Sequence, residues 1–303
     1  PVPDIEASAA TAVSFDGRVV AGSISLDGSA LAVTWDEAGT PTVFSDLPGD
    51  LDLARLRGIS ADGSTAVGIG YGANEREAVL CPNPSSPIGL GDIPGPNFDS
   101  EALAISGDGR VVVGTGRGSD FVEQAVMWVD GGPPALLGGL PATSPQFSQA
   151  LAVSADGGIV VGFSNTEDPD RGRLPVAWFN GAPPVELIAP PFSPIEGVAT
   201  GVAGGLYSYI AGSADNQIFL SAIGESPQYD GLGSSEYLPL PTGALEPRDA
   251  FPCNGGWRVA GDVLARVGSV NTNVGFIWEP GTGTSPSAMR SRRPPRLSAV
   301  RSS

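Results

Sequence analysis

The sequence predicts an all-β fold, a six-bladed β-propeller of four-stranded antiparallel blades, and three observations predict it. A motif closing in glycine recurs at Gly22, Gly68, Gly114, Gly162, Gly212 and Gly261. The steps between copies are 46, 46, 48, 50 and 49 residues. Each copy has room for four short strands, and no helical period is visible, which is the pattern of radial blades rather than of a stacked solenoid.

The best copies read Ala104-Ile-Ser-Gly-Asp-Gly-Arg-Val-Val-Val-Gly114 and Ala152-Val-Ser-Ala-Asp-Gly-Gly-Ile-Val-Val-Gly162. Strand a is rich in small residues, as a crowded axis requires. The Asp-Gly pair marks a tight turn, since glycine takes positive φ without steric cost. Strand b is a β-branched run such as Val111-Val-Val113, apolar toward both faces. Strand c ends in tryptophan at Trp35, Trp128, Trp178 and Trp278; Cys81 takes that place in the second copy and Ser221 in the fifth. These tryptophans and valines are expected to pack between blades. Strand d carries Leu-Gly-x-Leu-Pro, as in Leu90-Gly-Asp-Ile-Pro94 and Leu137-Gly-Gly-Leu-Pro141, and more loosely Phe44-Ser-Asp-Leu-Pro48. No fourth strand is evident after Trp278, so Val2–Glu6 is expected to complete the last blade. Residues 1–280 thus read as one propeller domain, and 281–303 as an Arg-, Pro- and Ser-rich disordered tail.

Composition agrees. Gly (43) and Pro (29) are abundant, but at fixed places in the repeat, so turns account for them. Lysine is absent, and five of the sixteen arginines lie in the last fourteen residues. The preceding 289 residues carry eleven arginines against all 33 acids, a balance that disfavours nucleic acid and favours cations or basic ligands. There is no apolar run long enough to span a membrane. The chain starts without Met, as a mature form, a fragment or a trimmed form would. Cys81 and Cys253 fall on different strand types of non-adjacent repeats and are expected to be separate thiols.

The composite Leu-Gly-x-Leu-Pro … Ser-x-Ala-x-Ala-Val-Ser-x-Asp-Gly-x-Val-Val-Val-Gly … Ala-Val-x-Trp resembles the bacterial HAF-type extracellular repeat. The likeness is fullest across residues 137–178 and extends from about residue 8 to 278. It implies secretion or a cell-surface location in a bacterium, and it implies no catalytic residues.

Function is sought on one face. The a–b and c–d turns lie on one side of a blade, and the b–c and d–a loops on the other. The a–b turns are nearly constant, whereas the b–c segments 70–77, 116–123, 164–173, 213–217 and 262–274 vary in length and content. Variable loops on a rigid scaffold are where recognition sits. Tyr71, Arg76, Phe98, Phe121, Phe147, Asp168, Asp170 and Arg171 are the candidate ligand-binding residues, the aromatics as stacking platforms for sugar. Glu167, Asp168 and Asp170 would be the oxygen ligands of a calcium ion, the one cofactor entertained; against this stand Pro169 and a spacing unlike a calcium loop. The recurring Asp16, Asp62, Asp108 and Asp156 are read as turn caps, not catalysts, because one is needed per hairpin.

Histidine is absent, which removes the Ser-His-Asp triad, the Cys-His dyad and HExxH zinc chemistry. Three readings remain: a non-enzymatic module binding protein or glycan, a carboxylate-based polysaccharide hydrolase or lyase, and a structural spacer of a larger surface protein. A monomer is expected in each.

Overall fold

The computed structural model describes residues 5–278 except 27, 46–51, 72–75, 96–98, 119–120, 142–145, 169, 188–195, 204–207, 216, 224–231, 239–243, 254–257 and 268–269; for the last sheet it describes mainly the backbone. The 281–303 tail, Phe98 and Pro169 therefore lie outside the described residues.

Every described element is a strand, and the strands form consecutive antiparallel meanders. The first sheet is β1 (Ala7–Val13), β2 (Val20–Leu26), β3 (Ser29–Trp35) and β4 (Pro41–Val43). The second is β5 (Asp52–Ile59), β6 (Ala66–Tyr71), β7 (Arg76–Cys81) and β8 (Ile88–Gly89). The third is β9 (Ser100–Ile105), β10 (Val111–Arg117), β11 (Glu123–Val129) and β12 (Ala135–Leu136). The fourth is β13 (Ser148–Val153), β14 (Ile159–Ser164), β15 (Leu174–Phe179) and β16 (Val185–Glu186). The fifth is β17 (Gly197–Ala203), β18 (Ser208–Ala214), β19 (Gln217–Ile223) and β20 (Leu232–Leu238). The last sheet has three described strands, β21 (Ala244–Cys253), β22 (Arg258–Val267) and β23 (Val270–Trp278).

The glycine that closes each copy has a steric cause. In the first five sheets the innermost strand carries a β-bulge beside it, with Thr11, Arg57, Leu103, Leu151 and Thr200 as the extra residues. A bulge bends its strand toward the partner. A Cβ at Gly22, Gly68, Gly114, Gly162 or Gly212 would run into the backbone carbonyl oxygen of Ala9, Arg55, Glu101, Gln149 or Val198 respectively. Only glycine fits there.

The Asp-Gly turns are built by their side chains. Ser60 Oγ donates to Asp62 Oδ1 (2.7 Å), the Ser64 amide donates to the same oxygen (3.0 Å), and the Thr65 amide donates to Ser60 Oγ (3.0 Å). Ser14/Asp16, Ser106/Asp108 and Ser154/Asp156 repeat the arrangement. The serine hydroxyl, then the amide, pushes each carboxyl below its ordinary range, Asp62 to about 2. Neighbouring turns are also joined: the Phe15 amide donates to Ala61 O (2.9 Å), and the Ala61 amide to Gly107 O (3.0 Å).

Sheets pack face to face through separate buried clusters. Trp128 lies wholly buried between the second and third sheets with Leu90, Val67 and Val112. Trp178 does the same between the third and fourth with Leu137, Val113 and Val160. Between the first and second, Cys81 stands in the tryptophan position and the partner leucine is replaced by Phe44, so the larger ring offsets the smaller side chain. Cys81 is a free thiol whose pKa burial pushes up to about 12.

Two expectations are corrected in detail. Leu-Gly-x-Leu-Pro follows strand d rather than forming it: the described fourth strands end at Gly89 and Leu136, and Leu90 and Leu137 add one further ladder bond, to Ala78 O and Ala125 O, before turning into the core. Segment 262–274 is not a loop, because Asp262 pairs with Gly275 and the ladder runs on to Val267 and Val270. Its longer register extends both strands beyond the motif. The Glu6 amide donates to Ser25 O (3.0 Å) within the first sheet; the closing role expected of Val2–Glu6 falls mainly on residues 2–4, outside the described residues.

Candidate functional site

The register places one group of candidates together. Tyr71 pairs with Arg76 at the b–c end of the second sheet, and Arg117 pairs with Glu123 at the same end of the third. Asp99 immediately precedes β9, and Glu101 sits opposite Thr115 on it. All belong to the face where the b–c and d–a loops meet.

There the side chains form a network of three arginines and three carboxylates. Arg76 Nε donates to Asp99 Oδ1 at 2.7 Å, and its two terminal nitrogens lie 3.3 Å from Glu101 and 3.8 Å from Glu123. Arg57, the bulge residue of β5, pairs with Glu101 at 2.8 Å. Arg117 joins Asp99 (2.8 Å) and Glu123 (3.4 Å). Gln149 on β13 donates to Glu123 at 2.7 Å, which extends the network to the fourth sheet. Arg57 reaches its position because the bulge re-aims it. Burial alone would weaken the Arg76 cation, but the Asp99 hydrogen bond and the charges of Asp99, Glu101 and Glu123 outweigh it and hold the guanidinium protonated.

Asp92 supports this arrangement from below. Its carboxylate accepts the amides of Ile93 (2.7 Å) and Asp99 (2.6 Å), fixing both ends of the d–a loop and thereby the residue that holds Arg76 and Arg117. Burial raises its pKa.

The aromatics divide. Tyr71 (49% exposed) and Phe121 (64% exposed) project from the b–c ends beside Arg76 and Glu123. Phe121 has a φ of 62°, and its amide donates to Gly118 O (3.2 Å). Phe147 is partly buried instead, tilted against Phe163 with ring centroids 5.5 Å apart, while the Arg173 guanidinium lies 5.1 Å from the Phe163 ring centre. The acidic segment stands apart from the network. Glu167, Asp168 and Asp170 are exposed, Asp168 Oδ1 accepts the Asp170 amide (3.0 Å), and Arg171 pairs with Glu186. Among the described residues no group of three acids, cysteines or histidines is placed to hold a metal.

Arg57, Asp92, Asp99, Glu101, Arg117, Glu123 and Gln149 were missed by sequence reasoning. One signal for them existed. Arg76, Glu123 and Arg173 each lie five residues before the Cys81, Trp128 or Trp178 that ends strand c, and with the closing glycines aligned Glu101 and Gln149 take equivalent places on an otherwise small-residue strand a.

Chemically the network offers fixed donors and acceptors in balance. Among the described residues, Glu101 and Glu123 share the Arg76 guanidinium, at 3.3 and 3.8 Å, whereas the two acids of a glycosidase face each other across the sugar.

The meander sheets, face-to-face packing and loop-bearing face define the class: this is a β-propeller fold. No family model and no curated protein matches the sequence. Among solved structures, the β-propeller domain of the Trilobed protease from Pyrococcus furiosus, which has an open velcro topology, aligns with a TM-score of 0.58 at 11% identity, over 95% of this chain and 85% of that one. An oligogalacturonate lyase in complex with manganese gives 0.51 at 11% identity, over 89% and 73%. A putative TolB from Agrobacterium tumefaciens gives 0.49 at 15% identity, over 76% and 79%. At these identities the likeness to the first two establishes the fold alone.

Proposed function

We propose that this chain is a secreted or cell-surface bacterial β-propeller of six blades, a monomer that acts as a non-enzymatic binding module for protein or glycan through its b–c/d–a face. One observation carries the reading. The constant parts of the repeat are spent on turns and packing, whereas the Arg57–Arg76–Arg117 network and the exposed Tyr71 and Phe121 gather on the variable face. Exposed aromatics beside pre-positioned polar groups are how rigid scaffolds present recognition surfaces. The extracellular location rests on the HAF-type resemblance; no helix among the described residues is long and apolar enough to cross a membrane. Six blades are supported by the six glycine-closed copies.

The test is a thermal-shift and binding screen of the full chain against a glycan array, an immobilised peptide set and a calcium titration. A saturable ligand lost on Tyr71→Ala or Arg76→Gln, and retained on Phe15→Ser, supports the module and its face; Phe15 is 92% exposed in the a–b turn on the opposite side. Turnover of a polysaccharide that depends on Glu101 or Glu123 would support the hydrolase or lyase reading instead. Silence in every arm would favour a spacer.

A further inference from the structure

The exposed face carries two costs that packing does not repay. Phe121 holds a backbone conformation that bulky residues rarely adopt, and its ring is left 64% exposed. Strain without burial points to use rather than to stability. The ring lies between Arg117 and Glu123 in the chain, at the rim of the network, and Tyr71 stands at the corresponding end of the neighbouring sheet, paired in register with Arg76.

The network sets the chemistry of the ligand. Its three guanidinium groups are already matched by the three carboxylates they touch, with Asp92 as a further acid behind Asp99, so no free cation is left to bind an anionic ligand. The rest of the molecule is strongly acidic and repels anions. The side chains involved — Arg, Asp, Glu and Gln — are all planar and held in fixed positions, with donors and acceptors side by side. Their complement is a neutral ligand whose adjacent groups both donate and accept hydrogen bonds and whose body has an apolar face for an aromatic ring. A pyranose has both: vicinal hydroxyls for the carboxylate and guanidinium edges, and a C–H face for Phe121 or Tyr71.

We infer that the b–c/d–a face binds a neutral oligosaccharide, with Phe121 and Tyr71 as stacking platforms and Arg76, Arg117 and Glu123 as the polar contacts. This rests on the binding-module reading above and narrows it. The experiment is isothermal titration of the full chain with neutral gluco-, manno- and galacto-oligosaccharides, with uronate oligosaccharides, and with a set of charged peptides. Phe121→Gly relieves the positive φ while deleting the ring, so it is expected to hold or raise Tm and to weaken neutral-sugar binding about tenfold. Tyr71→Ala is expected to weaken it similarly, and Phe15→Ser to leave it unchanged. Uronates bound in preference to neutral sugars would overturn the inference, as would neutral-sugar affinity indifferent to both aromatic substitutions. Peptide binding lost with Arg76→Gln, in the absence of any sugar binding, would overturn the sugar ligand and leave the module standing. No ligand of any class sensitive to these substitutions would sink both.

Discussion

At the scale of single residues, the repeat is held by positions whose reason is local and steric. Gly162 faces the Gln149 carbonyl across the bulge, so Gly162→Ala is expected to cost about 3 kcal/mol, because backbone must move. Gly39, at φ 76° with nothing near its missing side chain, is the control: Gly39→Ala should cost about 1 kcal/mol, both read from urea denaturation. Asp62 gives a pH prediction. Its carboxyl is lowered by Ser60 and the Ser64 amide to about 2 from an ordinary 3.8, so the stability it contributes is complete above about pH 4 and is lost as pH falls toward 2. The acid limb of a stability curve should therefore flatten over that window in Asp62→Asn, which cannot change charge. Much at this scale was legible in the sequence. The Ser-x-Asp-Gly spelling stated the turn, and the invariant glycine stated that something lay too close for a side chain; the bulge that brings it close leaves no spelling of its own, since its extra residue is Thr, Arg or Leu.

At the scale of elements, what matters is how one sheet meets the next. Between the first two sheets Phe44 and Cys81 fill the space that Leu90 and Trp128, or Leu137 and Trp178, fill further on. Cys81→Trp alone overpacks this interface and should cost about 2 kcal/mol; combined with Phe44→Leu it should recover most of that loss, a favourable coupling readable in a double-mutant cycle. The buried Cys81 thiol should also stay unreactive toward alkylating reagents until the protein unfolds. The arginine network belongs to this scale too. Arg76→Met leaves Asp99, Glu101 and Glu123 facing one another without their shared cation and should cost about 1–3 kcal/mol, discounted for the partial exposure of Arg76. The exposed Arg110–Asp130 pair offers the contrast, and Arg110→Met should leave Tm where it was. None of this network could be read along the chain. Arg57 and Glu101 are 44 residues apart, and only the packing of successive blades brings their strand ends together. The sequence placed Arg76, Tyr71 and Phe121 at b–c loop ends, where the register puts them beside the network. Phe147 and the segment 167–171 were read into the same class of loop; Phe147 packs on Phe163, and Asp168 accepts the Asp170 amide.

At the scale of the whole molecule, near-identical units create a hazard that a chain of unlike elements does not face. The second, third and fourth sheets share strand order, bulge and turn, so backbone pairing does little to tell one neighbour from another. A sheet that docks on the wrong partner during folding would still satisfy most of its hydrogen bonds. The mismatched volumes at successive joints change that. A tryptophan offered to the Phe44 side collides, and Cys81 offered to a leucine side leaves a void, so misassembled orders are penalised where the repeat looks most redundant. The departures from the repeat at Phe44 and Cys81, which read along the chain as decay of the motif, serve as an address that tells each sheet where in the sequence of sheets it belongs.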